Sequence, residues 1–438
     1  GNPELFHLDR NTGTLRLITH AGDNVTGGGD SVEQISISAD GRTVLFVYDG
    51  LGGLPGTHPA IRSDHLFTFD PATGDLTNLT LFPGISPLDR PLLFSALVSP
   101  SGAFAYARVF TQGVGVFGIA PSSSGLVEFD LAAGTQRLFA SSVSPVLVSD
   151  DDTKLVCNGS STGQPTVLLL DRPSGTTTLV SHEFGIPGQP SDGSVVRAVG
   201  ASSDGRFILV DTDASNLLGT VPGQTGRHAY VFDTVAGTRW LASYASGFPD
   251  RTCNSRATPR RISEDGSTVL FTTAATDVVP GFDDTWNREE LYVHDAVTRS
   301  NALVTRSLAT PFQVAPGFGD VEGLSTQLSA DGRRVLFTSD RPSLVAGLAP
   351  ALSVSASEAI PSNTFLLDRT NGQLTHLSAS SATGPGSFPG ANGDASDSFV
   401  ASYFLRPLLF VGGLSVVRLP GQLVAVVAML FSFGAKRR

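Results

Sequence analysis

Ser263-Glu264-Asp265-Gly266-Ser267-Thr268-Val269-Leu270-Phe271, followed downstream by Glu290-Leu291-Tyr292-Val293-His294-Asp295, is the cleanest copy of a two-part unit that recurs along the chain. The first part is Ser-x-Asp-Gly and then a β-branched or aliphatic run ending in Phe. The second is an apolar run that stops at Asp, usually with Gly four residues later; here Arg299 takes the glycine's place. Both are turn chemistry. Asp accepts hydrogen bonds from nearby backbone N–H groups, and Gly adopts φ > 0 without steric cost. Residues repeated in nearly every copy are read as structural, so these Asp residues receive no catalytic role.

Working outward, Ser38-Ala39-Asp40-Gly41, Ser202-Ser203-Asp204-Gly205 and Ser329-Ala330-Asp331-Gly332 repeat the first part, with looser copies at Ser99-Pro100-Ser101-Gly102 and Ser149-Asp150-Asp151-Asp152. The second part ends at Asp9, Asp70, Asp130, Asp171, Asp233, Asp295 and Asp368. Most steps are about 60 residues, a period that calls for repeat architecture before any other reading. Each unit supplies four short strands with β-rich composition. The N-terminus gives only the last two strands of a unit, so the C-terminus must give the first two. Ser402–Val411 aligns with Ser329–Thr338 through Ser, Arg and a Leu-Phe pair. The sequence therefore predicts an all-β, seven-bladed β-propeller of four-stranded antiparallel blades. The blades fall near residues 31–80, 94–140, 145–181, 195–243, 259–305 and 325–378, with a closing blade shared between 397–411 and 3–19.

The Ser-x-Asp-Gly-[Arg]-x-[Val]-[Leu]-Phe half and the strand-Asp-x-x-x-Gly half resemble the PD40/TolB-type (WD40-like) β-propeller repeat over roughly residues 4–411. Long inserts such as 277–284 resemble those of secreted bacterial members. The resemblance implies a propeller that binds or scaffolds, often outside the cytoplasm, and implies no single activity.

Composition narrows the partners. The net charge is −11, and the one basic run is Lys436-Arg437-Arg438, which argues against nucleic acid. Cys157 and Cys253 fall in different repeats and read as unpaired thiols, and no Cys/His spacing suits zinc. The chain starts at Gly1 and its one Met is Met429, so a processed mature form or a fragment is expected. After Val411 the composition changes. Residues 412–438 run from Gly412-Gly413 through an apolar stretch, 423–435, to the basic end. That order is similar to C-terminal sorting signals and suggests membrane or cell-surface attachment, although the apolar stretch is shorter than the ~20 residues of a spanning helix. The competing reading is an extra apolar strand.

Function is expected in what does not repeat. In an antiparallel unit the two turn types share one end, and the second-to-third-strand and unit-to-unit connections share the other. The long connections, 49–64, 111–125, 213–227, 274–288 and 340–362, therefore gather at one end. The connection bracketed by the opening stretch is acidic and aromatic, and Asp277, Asp283, Asp284, Trp286 and Glu289 are the candidate binding residues. Such carboxylates could hold Ca²⁺, but the spacing is not an EF-hand. Asp211-x-Asp213 starts like a calcium loop and lacks its later ligands. Gly113–Gly118 spells Gly-x-Gly-x-x-Gly, yet no helix signal follows, so a dinucleotide site is rejected. His20 and His182 read as exposed loop residues, and Trp240 reads as core. No nucleophile elbow, zinc-protease motif or phosphate loop is present. The expectation is a non-enzymatic, extracytoplasmic monomer without a cofactor that binds a protein or glycan partner. The alternatives are a polysaccharide-acting hydrolase or lyase with carboxylates at the long-connection end, and a structural surface protein.

Overall fold

The computed structural model describes residues 4–9, 13–19, 31–50, 54–55, 63–80, 91–161, 163–219, 226–281, 288–306, 326–339, 344, 363–377, 415–419 and 422–429. The N-terminal pair is β1 (Glu4–Asp9) and β2 (Thr14–Leu17). Then come β3 (Ser31–Ile37), β4 (Val44–Gly50), β5 (Ser63–Phe69) and β6 (Leu76–Asn78). The next four are β7 (Leu92–Val98), β8 (Phe104–Phe110), β9 (Ser124–Asp130) and β10 (Thr135–Ser141). They are followed by β11 (Ser144–Val148), β12 (Lys154–Ser161), β13 (Gln164–Asp171) and β14 (Thr177–Leu179). A hairpin, β15 (His182–Glu183) and β16 (Ile186–Pro190), precedes β17 (Val196–Ala201), β18 (Phe207–Thr212), β19 (His228–Asp233) and β20 (Thr238–Leu241). A second hairpin, β21 (Tyr244–Ala245) and β22 (Phe248–Thr252), precedes β23 (Ala257–Ile262), β24 (Thr268–Thr273), β25 (Glu290–Asp295) and β26 (Ser300–Leu303). The last are β27 (Gln327–Leu328), β28 (Arg334–Ser339), β29 (Asn363–Asp368), β30 (Gln373–His376), β31 (Ser415–Leu419) and β32 (Gln422–Met429).

Among the described residues these strands form seven four-stranded sheets and the two hairpins, with no helix. Six of the sheets take their strands in chain order. The chain divides into two compact units, residues 1–160, 169–178 and 401–438, and residues 161–168 and 179–400. In the first, β3 lies beside β7, and in the second, β17 lies beside β23, so the first strands of successive sheets gather together. Those edge strands carry bulges at Glu33/Ser36, Leu93/Ser95, Ala198/Gly200 and Pro259/Arg261, which disrupt the edge ladder.

The seventh sheet has the order β2-β1-β32-β31. β1 pairs with β2 on one side and along six residues with β32 on the other, Glu4 opposite Met429 and Asp9 opposite Val424. The strand on that edge of β1 is therefore Gln422–Met429. The expected partner, 402–411, lies outside the described residues. It carries Pro407, which cannot donate to a ladder, whereas 422–429 has neither Pro nor charge. The run read as a sorting or anchor segment thus contributes strands, and no helix among the described residues is long and apolar enough to cross a membrane.

The repeated residues build the turns as their chemistry dictates. In the cleanest copy Ser263 Oγ donates to Asp265 at 2.5 Å and accepts the Thr268 N–H at 2.9 Å, while Asp265 accepts the Ser267 N–H. Ser38, Ser149, Ser202 and Ser329 repeat the pattern. The turns also touch one another: the Ala39 N–H donates to Pro100 O, Ser203 N–H to Glu264 O and Glu264 N–H to Ala330 O. At Gly266 and Gly332 a Cβ would collide with Phe207 and with Thr268 of the preceding turn, so this glycine serves both φ and packing. Each core is centred on a cross-strand aromatic pair where the repeat supplies one. Phe46–Phe67, Phe271–Tyr292 and Phe337–Phe365 stack with centroids 5.5–5.6 Å apart. Both cysteines are free and buried.

Two contacts had no expectation from sequence. Ten residues after the repeat Asp stands a hydroxyl, at Thr19, Thr80, Ser181, Ser243 and Thr305. Each accepts a third-strand N–H: Leu5, Leu66, Val167, Ala229 and Leu291, at 2.8–3.3 Å. The second contact joins the two loose copies. Ser101 stands where the turn Asp should be, and Asp152 stands where the next copy's Gly should be, with φ 56°. The Asp152 carboxylate accepts from Ser99 Oγ at 3.1 Å and from Ser101 Oγ. The Gly position faces the preceding turn, so a carboxylate placed there reaches the turn that lacks one.

Candidate functional site

In each sheet the first strand begins, the second ends and the third begins at the end opposite the short turns. In the second unit this end of two neighbouring sheets collects arginines around one buried carboxylate. Asp211, the penultimate residue of β18, is fully buried. Arg197, paired with it across β17–β18, donates from Nε at 3.0 Å. Arg227, just ahead of β19, brings Nε to 3.4 Å from the other Asp211 oxygen. That contact lacks hydrogen-bond geometry and leaves both atoms without a hydrogen bond. The 227 backbone is tied to the next sheet, because the Ala257 N–H donates to Arg227 O at 2.8 Å. Burial pushes the Asp211 carboxyl above the usual range, and the Arg197 and Arg256 guanidiniums oppose the shift.

The neighbouring sheet adds Arg256, Arg260 and Glu289. Arg260 is the bulged residue of β23, so its side chain turns along the sheet and reaches Thr272 Oγ1 at 2.9 Å and Glu289 at 3.3 Å. Thr272 Oγ1 donates to Glu289 at 3.0 Å. Arg256 precedes β23, and its guanidinium has no hydrogen-bond or ion-pair partner among the described residues. Arg261 also lacks a carboxylate partner among the described residues; burial and the Arg260 charge push it down to about 10. Arginine forks aimed at a shared space are the usual means of holding carboxylates in a fixed orientation.

Of the expected binding residues, Glu289 belongs to this cluster. Asp277 does not. Its carboxylate accepts the Asn254 N–H at 2.9 Å and its carbonyl accepts the Ser246 N–H at 2.7 Å, which fastens the β21–β22 hairpin to the loop. Asn216 does the same for the β15–β16 hairpin, accepting from Asp192 and Phe184. An amide in the equivalent place marks this position as a hydrogen-bond acceptor. Asp283, Asp284, Trp286 and His20 lie outside the described residues. Asp213 bonds Ser194 and the Val195 N–H and does not converge with Asp211 on a cation position. Among the described residues no group of three His, Cys, Asp or Glu is placed to hold a metal ion. Gly113–Gly118 is a loop. Trp240 is half-buried in β20, with Phe207 and the Arg299 guanidinium on its ring. His182 opens β15 and hydrogen-bonds Glu183 O.

The arginines escaped the sequence reading because they come from two repeats, Arg197 and Arg260 within first strands and Arg227 and Arg256 just ahead of strands. One signal was available: nine residues after the repeat Ser stand Val47, Arg108, Asn158, Asp211, Thr272 and Thr338, and Asp211 is the sole acid.

No family model matches the chain, and no curated protein does. Solved structures are similar at a distance. TolB from Acinetobacter baumannii covers 80% of this chain and 79% of its own, at 13% identity and TM-score 0.36. The β-propeller domain of the trilobed protease from Pyrococcus furiosus covers 80% and 86%, at 11% and 0.45. Oligogalacturonate lyase from Vibrio parahaemolyticus covers 86% and 85%, at 12% and 0.46. None of these likenesses assigns an activity.

Proposed function

We propose that the seven sheets are blades of one β-propeller, closed through the sheet shared by the chain's two ends. In this reading it is a non-enzymatic, extracytoplasmic binding protein that takes a protein or glycan partner at its long-connection end. The observation that carries the reading is the arginine cluster around Asp211, which lies at that end and includes Arg256, without a hydrogen-bond or ion-pair partner among the described residues. At the opposite end the repeated Ser and Asp side chains are engaged by turn backbone and by neighbouring turn side chains. The extracytoplasmic placement draws on the repeat's resemblance to secreted members alone.

A polysaccharide-acting hydrolase or lyase is the second reading, and one observation favours it: Asp211 is buried and its carboxyl is raised. It would need a second carboxylate at a defined separation. Glu289 is held by Arg260 and Thr272.

The test is capture on a glycan array and from cell-envelope extract, comparing the wild-type chain with Arg256→Glu and with Val235→Glu on the turn end. The reading expects R256E to lose specific partners that V235E keeps. Capture lost with V235E and kept with R256E would reverse the assignment of the working end.

A further inference from the structure

Resting on the reading that the long-connection end is the working end, we propose that the Arg197–Arg256–Arg260 cluster is a binding site for a small organic acid, a ligand with one or two carboxylates. Among the described residues the charges there do not balance: five guanidiniums, of Arg197, Arg227, Arg256, Arg260 and Arg261, stand against the carboxylates of Asp211, Asp213 and Glu289, and Asp213 is committed to Ser194 and Val195. Such an excess of positive charge in a chain of net charge −11 is local. Arg256 is the open member: its backbone is fixed, since Arg256 O accepts from Thr273 Oγ1 at 2.8 Å, while its guanidinium has no partner among the described residues. Asp211 and Glu289 occupy Arg197 and Arg260 from one side only, which orients those forks and leaves further N–H groups for a ligand.

Size follows from two observations. The cluster is built of arginine, carboxylate and threonine, without the exposed apolar or aromatic residues that anchor a folded partner. Among the described residues of the second unit, the exposed aromatics sit on the hairpins instead, as Phe184 and Phe248. The overall negative charge repels a long polyanion, whereas a small acid feels mainly the arginines within a Debye length of about 8–10 Å.

The experiment is isothermal titration of the full chain at low ionic strength with succinate, D-glucuronate, glutamate and inorganic phosphate, and with polyglutamate and polygalacturonate as long polyanions. The variants are Arg256→Gln, Arg256→Lys, Arg260→Gln and, as a surface control, Arg42→Gln. Among the described residues the Arg256 guanidinium makes no hydrogen bond or ion pair and acts on Asp211 only through its charge, so R256Q is expected to keep the fold, which its urea midpoint checks. The expected result is saturable binding of at least one small carboxylate. R256Q should weaken it about tenfold or more, R256K less, and R42Q not at all. Absence of saturable binding by every small acid overturns the inference, as does equal weakening by R42Q or binding of the long polyanions alone. If macromolecular capture still depends on Arg256 while no small acid binds, this inference fails and the binding reading stands.

Discussion

His228 and His294 show what burial does to a single residue. Both are fully buried at third-strand positions, and burial pushes each imidazole down to about 4. His228 Nδ1 lies 3.4 Å from Ser243 Oγ and His294 Nδ1 lies 2.9 Å from Asn301 Oδ1, a contact that opposes the shift; burial outweighs it, and neither Nε2 has a hydrogen-bond partner among the described residues. A folded pKa below the unfolded value means the unfolded chain binds more protons. The contribution is present above pH 6.5 and is lost as pH falls through about 4. Each histidine can withdraw roughly 3 kcal/mol over that window. Urea denaturation at pH 7 and pH 4 should show a smaller acid loss in His228→Gln than in wild type; an unchanged loss would mean that His228 is solvated. Asp211 works in the opposite direction. Its raised carboxyl makes the native state bind the extra proton, so its contribution weakens as pH rises through the carboxylate range. The sequence showed these residues and could not show their burial, because burial depends on sheets that pack from segments about 60 residues apart.

Elements follow the sequence where their chemistry is local. Ser-x-Asp-Gly names a turn because all of its partners lie within five residues, and Arg299 in a glycine's place adopts φ 51°, as the spacing requires. The hydroxyl ten residues after each repeat Asp was equally regular in the sequence. Its meaning was hidden because its partner sits 14 residues away, across a strand pair that must form first. The exchange between Ser101 and Asp152 was visible as two defects and not as one contact. It predicts a coupled pair. Asp152→Ala should cost about 1–3 kcal/mol by stranding two hydroxyls. Ser101→Asp alone should also destabilise, by setting two carboxylates together. Ser101→Asp with Asp152→Gly restores the repeat pattern at both turns and should recover most of the loss. A double-mutant cycle read by urea midpoints checks this, and simple additivity would refute the coupling.

On the scale of the whole molecule, the all-β, four-stranded plan was legible from the period alone. The C-terminal strands were not, because the expected stretch matched the repeat by letter while β32 matches it only by β-rich, uncharged composition. β1 has a partner on each edge, so removing residues 415–438 should leave one edge bare. Hydrogen exchange at Glu4–Asp9 should then quicken and the melting temperature fall; unchanged protection would place another strand on that edge. The carboxylate at position 152 has a different consequence, for how such a chain can change over time. Tandem repeats are commonly gained, lost or shuffled as whole units. Here one copy's missing part is carried by its neighbour, so a duplication, deletion or swap at that joint would leave an unpaired acid in one turn and an incomplete turn in the other. The contact thus ties the second and third copies into one unit of inheritance, in which a change at either turn selects for a matching change at the other.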